Sequence, residues 1–206
     1  MLTAPIEQKV ILSGVSWETY QRLLADYTDV SGTHFIYDEG MLEIMVMSRR
    51  HEEPNRTLDY LVNVLAEEFD IDIYAIGSTT FQREDLHKGF EPDSAYYIGR
   101  GPEFEESDSD AATDPPPDLM IEVDVTSPSL NRFPLYAAFG VAEVWRYAKS
   151  RVHMYVLKGG QYAEVASSAA FPPLTAETAT RFMDERRRLR STQWVRQVRK
   201  WARQQR

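Results

Sequence analysis

One stretch of the chain, DLMIEVDVT at residues 118–126, constrains the fold more than any other. Apolar and polar side chains alternate along it, as they do along a β-strand whose successive residues point to opposite faces of a sheet. One face carries Leu119, Ile121, Val123 and Val125, and the other carries Met120, Glu122, Asp124 and Thr126. The pattern predicts a strand that packs one face on a core and sets two carboxylates side by side on the other.

The two carboxylates have two interpretations. Residues two apart on one face of a strand lie within about 7 Å of each other, so Glu122 and Asp124 could bind one ion. Like charges about 4 Å apart repel by about 4 kcal/mol at an effective dielectric constant of 20, and water, protonation or a cation must relieve them. Mg²⁺ and Mn²⁺ prefer carboxylate oxygens. In the alternative interpretation, the polar face of a half-buried strand simply meets solvent.

A third carboxylate, that of Asp93, favours the metal interpretation. Asp93 follows Pro92 and precedes an apolar stretch at residues 94–98, which places it at the start of a strand of its own. The order along the chain is therefore Pro-Asp, then Glu-x-Asp about thirty residues later. With Asp93, Glu122 and Asp124 as ligands, we expect a site for Mg²⁺ or Mn²⁺.

The composition bounds the class of protein. The 206 residues are 43% hydrophobic and 12% aromatic, which suffices for one well-packed domain that we assign to residues 1–180. The sequence contains no cysteine, which excludes disulfides and thiolate chemistry, so any metal must be bound by oxygen or imidazole. The sequence has neither an apolar run of membrane-spanning length nor a secretory signal, and we expect a cytoplasmic protein without a membrane partner.

Charge is distributed unevenly along the chain, whose net charge is −9. Residues 181–206 contain ten basic and two acidic residues, whereas residues 1–180 contain 13 basic and 30 acidic ones. The acidic body would repel phosphates except where basic groups cluster, so nucleic acid should bind only locally.

The basic segment 181–206 is predicted to form an amphipathic helical extension, because five apolar residues recur among its arginines: Leu189, Trp194, Val195, Val198 and Trp201. We expect its apolar stripe to pack on the body of the protein. A nucleic-acid contact and an oligomer interface are the alternatives.

Periodicity predicts an α/β fold with helices packed on a mixed sheet. A first helix is expected at residues 17–26 after the N-cap residue Ser16, followed by a hairpin within residues 33–48. A longer helix is expected over residues 55–69, with Pro54 in its first turn. Further strands are predicted within residues 71–78, 79–84, 91–98, 118–126, 142–148, 151–157 and 161–165, with an acidic loop at 99–117 and a short helix at 132–139.

Four blocks of sequence occur in the order YDEGMLEIMVMS, GFEPDSAYYI, PPPDLMIEVDVTSPSL and LYAAFGVAEVWRY. Together they resemble the PD-(D/E)XK nuclease superfamily and, more closely, its Uma-type branch of endonucleases. The resemblance spans residues 12–175 and implies a restriction-endonuclease-like core, in which a mixed sheet is flanked by helices. It also implies acidic residues on neighbouring strands that bind Mg²⁺ for phosphodiester hydrolysis, and a homodimer, which is common in the superfamily.

The resemblance assigns roles to individual residues. Asp93 matches the acid of the Pro-Asp motif, and Glu122 matches the first acid of the second motif. Asp124 stands where the superfamily pattern has a lysine that orients or activates the attacking water. Arg132, near a position where Uma-type sequences often carry a lysine, could instead stabilise charge on the phosphate, or Asp124 could help to hold a second metal. We favour a metal-bound water as nucleophile, with Arg132 as an electrostatic helper.

Glu43 and His51 complete the candidate catalytic set. Glu43 lies on the second hairpin strand, where it could supply another ligand, orient the water, or merely meet solvent. His51 precedes the long helix and resembles a family position near the site, although an isolated histidine there is more often structural. Four aromatic residues are expected to lie in the core rather than to stack on bases: Tyr96, Tyr97, Tyr136 and Trp145.

Two functions are consistent with this sequence. The first is a divalent-metal-dependent endonuclease that hydrolyses DNA, for which the ordered acids argue. The second is a catalytically inactive nuclease-like fold that binds DNA or a protein partner, for which the missing lysine and the acidic body argue.

Overall fold

The computed structural model describes residues 8–27, 32–46, 49–99, 115–124 and 131–206. Within these residues the chain forms two β-sheets and five α-helices, which agrees with the predicted α/β class. The helices are α1 (Trp17–Tyr27), α2 (Arg49–Phe69), α3 (Phe133–Phe139), α4 (Ala176–Arg186) and α5 (Ser191–Arg203). The predicted first helix, long helix and short helix correspond to α1, α2 and α3.

The first sheet is antiparallel throughout, in the order β1-β3-β2-β6-β5. Its strands are β1 (Gln8–Leu12), β2 (Thr33–Asp38), β3 (Met41–Val46), β5 (Phe81–Arg83) and β6 (Lys88–Phe90). The predicted hairpin is β2 and β3, joined at Glu39 and Gly40, whose φ angles are 47° and 94°. Helix α1 packs its buried Trp17 and Tyr20 against this sheet.

The second sheet is mixed, in the order β11-β10-β9-β8-β7-β4. Its strands are β4 (Ile73–Gly77), β7 (Ser94–Ile98), β8 (Leu119–Asp124), β9 (Glu143–Ala148), β10 (Arg151–Lys158) and β11 (Gln161–Val165). Among the described strands, β8 and β9 alone pair in parallel, and helix α3 lies between them in the chain. Their register sets Glu122 opposite Arg146.

Strand β8 is buried on both faces. Leu119, Ile121 and Val123 pack with residues of α2, α4 and α5, as the alternation predicts. On the other face, Met120 packs with α3 and with the first sheet. Glu122 shares that second face and is 5% exposed, which excludes the interpretation that this acid merely meets solvent.

Helix α2 begins six residues earlier than the sequence predicts. Pro54 therefore lies inside the helix rather than in its first turn, and the expected boundary was wrong. Proline removes one helical hydrogen bond, but the helix continues across it. An i,i+4 pair spans this position, since Arg56 Nε donates to Glu52 Oε1 at 2.6 Å.

The segment 181–206 packs on the body, as expected, but it comprises the end of α4 and the whole of α5 instead of one helix. Trp194 is 1% exposed and donates its indole N–H to the carbonyl of Phe182 at 2.7 Å. An oligomer contact through Trp194 is therefore not available in this structure, because the side chain belongs to the core. Arg199 and Arg203 pair with Glu67 and Glu68 of α2. The division into a domain of residues 1–180 and an extension of residues 181–206 stays a prediction.

Some expectations fall outside the described residues: most of the acidic loop at 99–117, and Val125 and Thr126 at the end of the predicted strand. Strands β1 and β6 were not predicted. The four aromatic residues expected in the core are all buried. In the described part of the chain, no helix has both the length and the apolar character needed to cross a lipid bilayer.

Candidate active site

Asp93 lies immediately before β7, where its side chain reaches across to β8. The β7–β8 pairing ends at Ser94 and Ile121, and beyond this point Asp93 Oδ2 accepts a 2.7 Å hydrogen bond from the Val123 N–H. The Asp93 carboxylate thus accepts the hydrogen bond that a backbone carbonyl would accept if the β7–β8 pairing continued. Asn55 Nδ2 of α2 donates to the Asp93 carbonyl at 3.1 Å, so both the backbone and the side chain of Asp93 are fixed.

Two buried histidines face the Asp93 carboxylate. His51 Nε2 lies 3.3 Å from Asp93 Oδ2, and His34 Nδ1 lies 3.8 Å from Asp93 Oδ1. Burial is the main reason that the pKa of His34 falls to about 4; the charges of His51 and Arg132 contribute to the fall, and Glu52 opposes it. His34 is therefore neutral near pH 7. The sequence identified His51 as a candidate, and the structure brings it to Asp93.

Glu122 projects from β8 into a buried environment on the face that packs against α3. Its Oε2 accepts a 2.8 Å hydrogen bond from Arg132 Nη1. Among the described residues, its Oε1 has no hydrogen-bond partner. Burial is the main reason that the pKa of Glu122 rises to about 8, because the low dielectric penalises the charged form; Arg132 opposes the rise, and Asp93 and Asp124 add to it.

Arg132 joins two carboxylates that come from different sheets. It precedes α3, and its guanidinium donates through Nη2 to Glu43 Oε1 at 2.7 Å and through Nη1 to Glu122 at 2.8 Å. The Arg132 side chain is 10% exposed and that of Glu43 is fully buried. Glu43 lies on β3 of the first sheet, so this ion triad links the two sheets beneath the candidate site.

Asp124 pairs with an arginine of the neighbouring strand. Its Oδ2 accepts a 2.5 Å hydrogen bond from Arg146 Nε on the neighbouring strand β9. In the ranges that the structure describes, no group of three or more His, Cys, Asp or Glu side chains has an arrangement that could hold a metal ion. The three-ligand set of Asp93, Glu122 and Asp124 stays a prediction.

The Asp93 and Glu122 carboxylates fit a hard divalent cation. Their charges interact, both residues are buried, and one oxygen of Glu122 has no hydrogen-bond partner in the described part of the chain. A buried carboxylate of this kind is stabilised either by a proton or by a cation. Carboxylate oxygens are the donors that Mg²⁺ and Mn²⁺ prefer.

A cavity of about 1140 Å³ opens beside Asp93. Its lining includes His34, Asn55, Ser94 and the exposed Tyr60 of α2. Asp93 belongs to this lining although its side chain is only 2% exposed, whereas Glu122 does not line the cavity.

Comparison with known proteins places the chain in a family. A family model described as "Uma2: Putative restriction endonuclease" matches residues 17–182. The chain belongs to the Uma2 family. A crystal structure of "a putative nuclease belonging to DUF820" from Anabaena variabilis is similar, with a TM-score of 0.53 and 14% identity over 78% of this chain and 98% of that chain. At this identity the likeness shows a common fold. None of the curated proteins matches this chain.

Membership of the Uma2 family supports a nuclease-like function and confirms the family resemblance drawn from the four sequence blocks. Sequence reasoning missed three residues that shape the Uma2 site: His34, Asn55 and Arg146. Asn55 and Arg146 lie at ordinary helix and strand positions, where sequence alone carries no signal. His34 offered a weak signal, because its imidazole directly precedes the apolar stretch of Phe35, Ile36 and Tyr37 in β2.

Proposed function

We propose that this Uma2 protein is a divalent-metal-dependent endonuclease that hydrolyses phosphodiester bonds of DNA. The observation that carries the proposal is the approach of Asp93 to β8 beside Glu122, whose Oε1 is buried without a hydrogen-bond partner among the described residues. Two buried carboxylates whose charges interact, one of them beside a cavity of a nuclease-like fold, could bind a cation at the phosphodiester group.

Asp93 and Glu122 would hold the Mg²⁺ or Mn²⁺ ion. When bound, such an ion neutralises charge on the phosphate and lowers the pKa of water at the site. His51 and the Val123 N–H fix the orientation of Asp93. The chain therefore presents the Asp93 carboxylate in a single orientation, which reduces the reorganisation needed when substrate binds.

Arg132 has the role of an electrostatic helper in this proposal. Its guanidinium holds Glu122 in place, and its Nε has no hydrogen-bond partner within the described residues. A guanidinium next to the carboxylates can stabilise charge that builds up on the phosphate but is a poor base. Glu43 acts through Arg132, since the two share a 2.7 Å hydrogen bond. Glu43 is then a positioning residue.

Nicking of supercoiled plasmid DNA in Mg²⁺ or Mn²⁺ tests the proposal. We expect cleavage by the wild type and a loss of at least about a hundredfold in Asp93→Asn and Glu122→Gln, because each removes one ligand charge. Asp85→Asn is the matched control, since Asp85 is an exposed acid paired with Arg83 and remote from the site. Cleavage that survives both site substitutions would reject these residues as the active site.

A second function is favoured by one observation, the pairing of Asp124 with Arg146 at 2.5 Å. Asp124 stands where the superfamily has its lysine, and here it is paired with Arg146. The fold could then serve as a DNA- or protein-binding module without catalysis. A homogeneous wild-type protein that binds DNA yet cleaves neither duplex nor single strands in Mg²⁺ or Mn²⁺ would support this second function.

A further inference from the structure

A second depression lies beside the candidate carboxylates, with a volume of about 310 Å³. We call it the basic cleft. Its cationic residues are Lys149, Arg186 and Arg187, and Thr57 and Ser150 add hydroxyl groups. Asp124, two residues after Glu122 on β8, forms part of its wall. The basic cleft therefore begins roughly 7 Å from the position of Glu122 along the strand.

The charges around the basic cleft favour an anion. Glu53 and Asp124 are its two acids. Asp124 is neutralised by Arg146, and Glu53 is exposed and solvated. Three cationic side chains thus oppose one solvated carboxylate, in a body that is otherwise strongly acidic. A local cluster of cationic side chains allows an otherwise acidic protein to attract a phosphate.

Arg187 is held in place for such a contact. Its Nη2 donates a 2.6 Å hydrogen bond to the hydroxyl of Tyr147, whose side chain is buried. Its other partner, Asp184, is half exposed at 3.5 Å and competes weakly because water screens the pair. A guanidinium has five N–H donors, so donors remain for a bidentate bond to phosphate oxygens.

The turn that carries Lys149 and Ser150 gives independent support. The two residues form the whole connection between β9 and β10, whose pairing closes at Ala148 and Arg151. Both have left-handed backbone angles, with φ of 50° and 61°. Two-residue turns of this geometry strongly prefer Asn-Gly, because left-handed angles are costly for other residues. Lys149 and Ser150 occupy these unfavourable turn positions, and both line the basic cleft.

We propose that the basic cleft binds a backbone phosphate of the nucleic acid whose neighbouring phosphodiester lies at Asp93 and Glu122. This inference rests on the proposed function and adds a phosphate subsite to it. Arg186, Arg187 and Lys149 supply the charge, and the turn fixes Lys149 and Ser150 at the rim. The subsite reads no sequence, because phosphate contacts set the position of the backbone rather than the identity of its bases.

Fluorescence anisotropy with a labelled DNA duplex tests the subsite, with Ca²⁺ in place of Mg²⁺ and salt varied from low to moderate concentration. The test variant replaces Lys149, Arg186 and Arg187 with Gln. We expect about tenfold weaker binding and a plot of log K against log[salt] that is shallower by about 0.9, because one phosphate is no longer neutralised by the protein. The variant should remain folded with an unfolding midpoint somewhat below that of the wild type, because it loses the hydrogen bond from Arg187 to Tyr147, and thermal unfolding checks that it is folded at the assay temperature.

The matched control replaces Arg181, Arg188 and Arg196 with Gln, which removes the same charge from exposed positions outside the basic cleft. We expect the control to bind within about threefold of the wild type, because distant surface charges are screened. Equal losses in the two variants, or no loss in either, would overturn the subsite. A failure of the proposed function would look different. Cleavage would then survive Asp93→Asn and Glu122→Gln, while DNA binding would still depend on the basic cleft.

Discussion

Arg132 Nη1 donates a 2.8 Å hydrogen bond to Glu122 Oε2, and the same guanidinium binds Glu43 of the other sheet. The contact places a permanently charged guanidinium beside a carboxyl group that burial keeps largely protonated at neutral pH. Burial raises the pKa of Glu122 to about 8, and Arg132 is the strongest of the opposing influences. The stability of the two-sheet arrangement and the electrostatics of the site therefore depend on one arginine.

Arg132→Ala should destabilise the fold by about 3 kcal/mol, because it leaves the Glu43 and Glu122 carboxylates buried without their shared cation. Arg132→Lys should cost less, since it keeps the charge but cannot reproduce two hydrogen bonds from a planar fork. Urea unfolding at pH 7 measures both. Arg56→Ala, which removes an exposed ion pair with Glu52, is the control and should change stability by less than about 0.5 kcal/mol. A cost for Arg132→Ala no larger than that of the control would show that the triad is not a structural link.

Stability should fall as pH rises toward 8, because the folded state holds a proton on Glu122 that the unfolded chain has released above its ordinary pKa of 4.5. The contribution is complete below pH 4.5 and is lost once the pH has passed 8. His34 acts in the opposite direction between about pH 4 and its ordinary pKa of 6.5, since its folded pKa is lowered. Between pH 6.5 and 8 the contribution of His34 is small, so the change due to Glu122 is best measured in this window.

Glu122→Gln is the variant that tests this window, because glutamine resembles the protonated acid and does not titrate. Relative to the variant, the wild type should lose about 2 kcal/mol between pH 6.5 and 8, from 1.36 kcal/mol per unit. Chemical unfolding in the absence of divalent cations, at several pH values, measures the difference. Parallel stability profiles for the two proteins would contradict the raised pKa.

Replacing Lys149-Ser150 with Asn-Gly should stabilise the protein by about 1 kcal/mol, because this pair adopts the left-handed turn at less cost. The same change removes Lys149 from the basic cleft, so DNA binding should weaken while the unfolding midpoint rises. Thermal unfolding and anisotropy on one preparation measure both effects. A stabilised variant with undiminished DNA binding would mean that the turn sequence has no part in phosphate binding.

Gly89→Ala should destabilise the protein by about 1–3 kcal/mol, since a Cβ at Gly89 would overlap the Tyr20 hydroxyl oxygen. Tyr20 is a fully buried residue of α1, so its ring has no free space to move into. Tyr20→Phe removes the clashing oxygen and should partly rescue the substitution. If the destabilisations by Gly89→Ala and Tyr20→Phe were additive in the double variant, the close approach of α1 to the first sheet would not be the reason that residue 89 must be glycine.

Local periodicity was enough to predict much of the fold. The alternation in β8, the hairpin of β2 and β3 and the short α3 are all read from neighbouring residues, whose pattern does not depend on distant contacts. Strand β6 has three residues, Lys88–Phe90, too few to show a period, and it owes its strand conformation to pairing with β2 and β5. The start of α2 was wrong because proline was read as a boundary, although the helix continues past Pro54.

The candidate site was only partly predictable, because its decisive contacts are long-range. The order of motifs anticipated that Asp93 approaches β8, and the structure agrees. The pairing of Asp124 with Arg146 depends on the parallel register of β8 and β9, which no local pattern contains. Similarly, the link from Arg132 to Glu43 joins residues 89 positions apart on different sheets.

Calorimetric titration of the folded protein with Mn²⁺ tests most directly whether Asp93 and Glu122 form a metal site. We expect the wild type to bind Mn²⁺ with release of about one proton at pH 7, since the cation replaces the proton on Glu122. Asp93→Asn and Glu122→Gln should each bind at least tenfold more weakly, and Asp85→Asn should bind like the wild type. A folded wild type that ignores Mn²⁺, or variants that bind it as tightly as the wild type, would contradict the site.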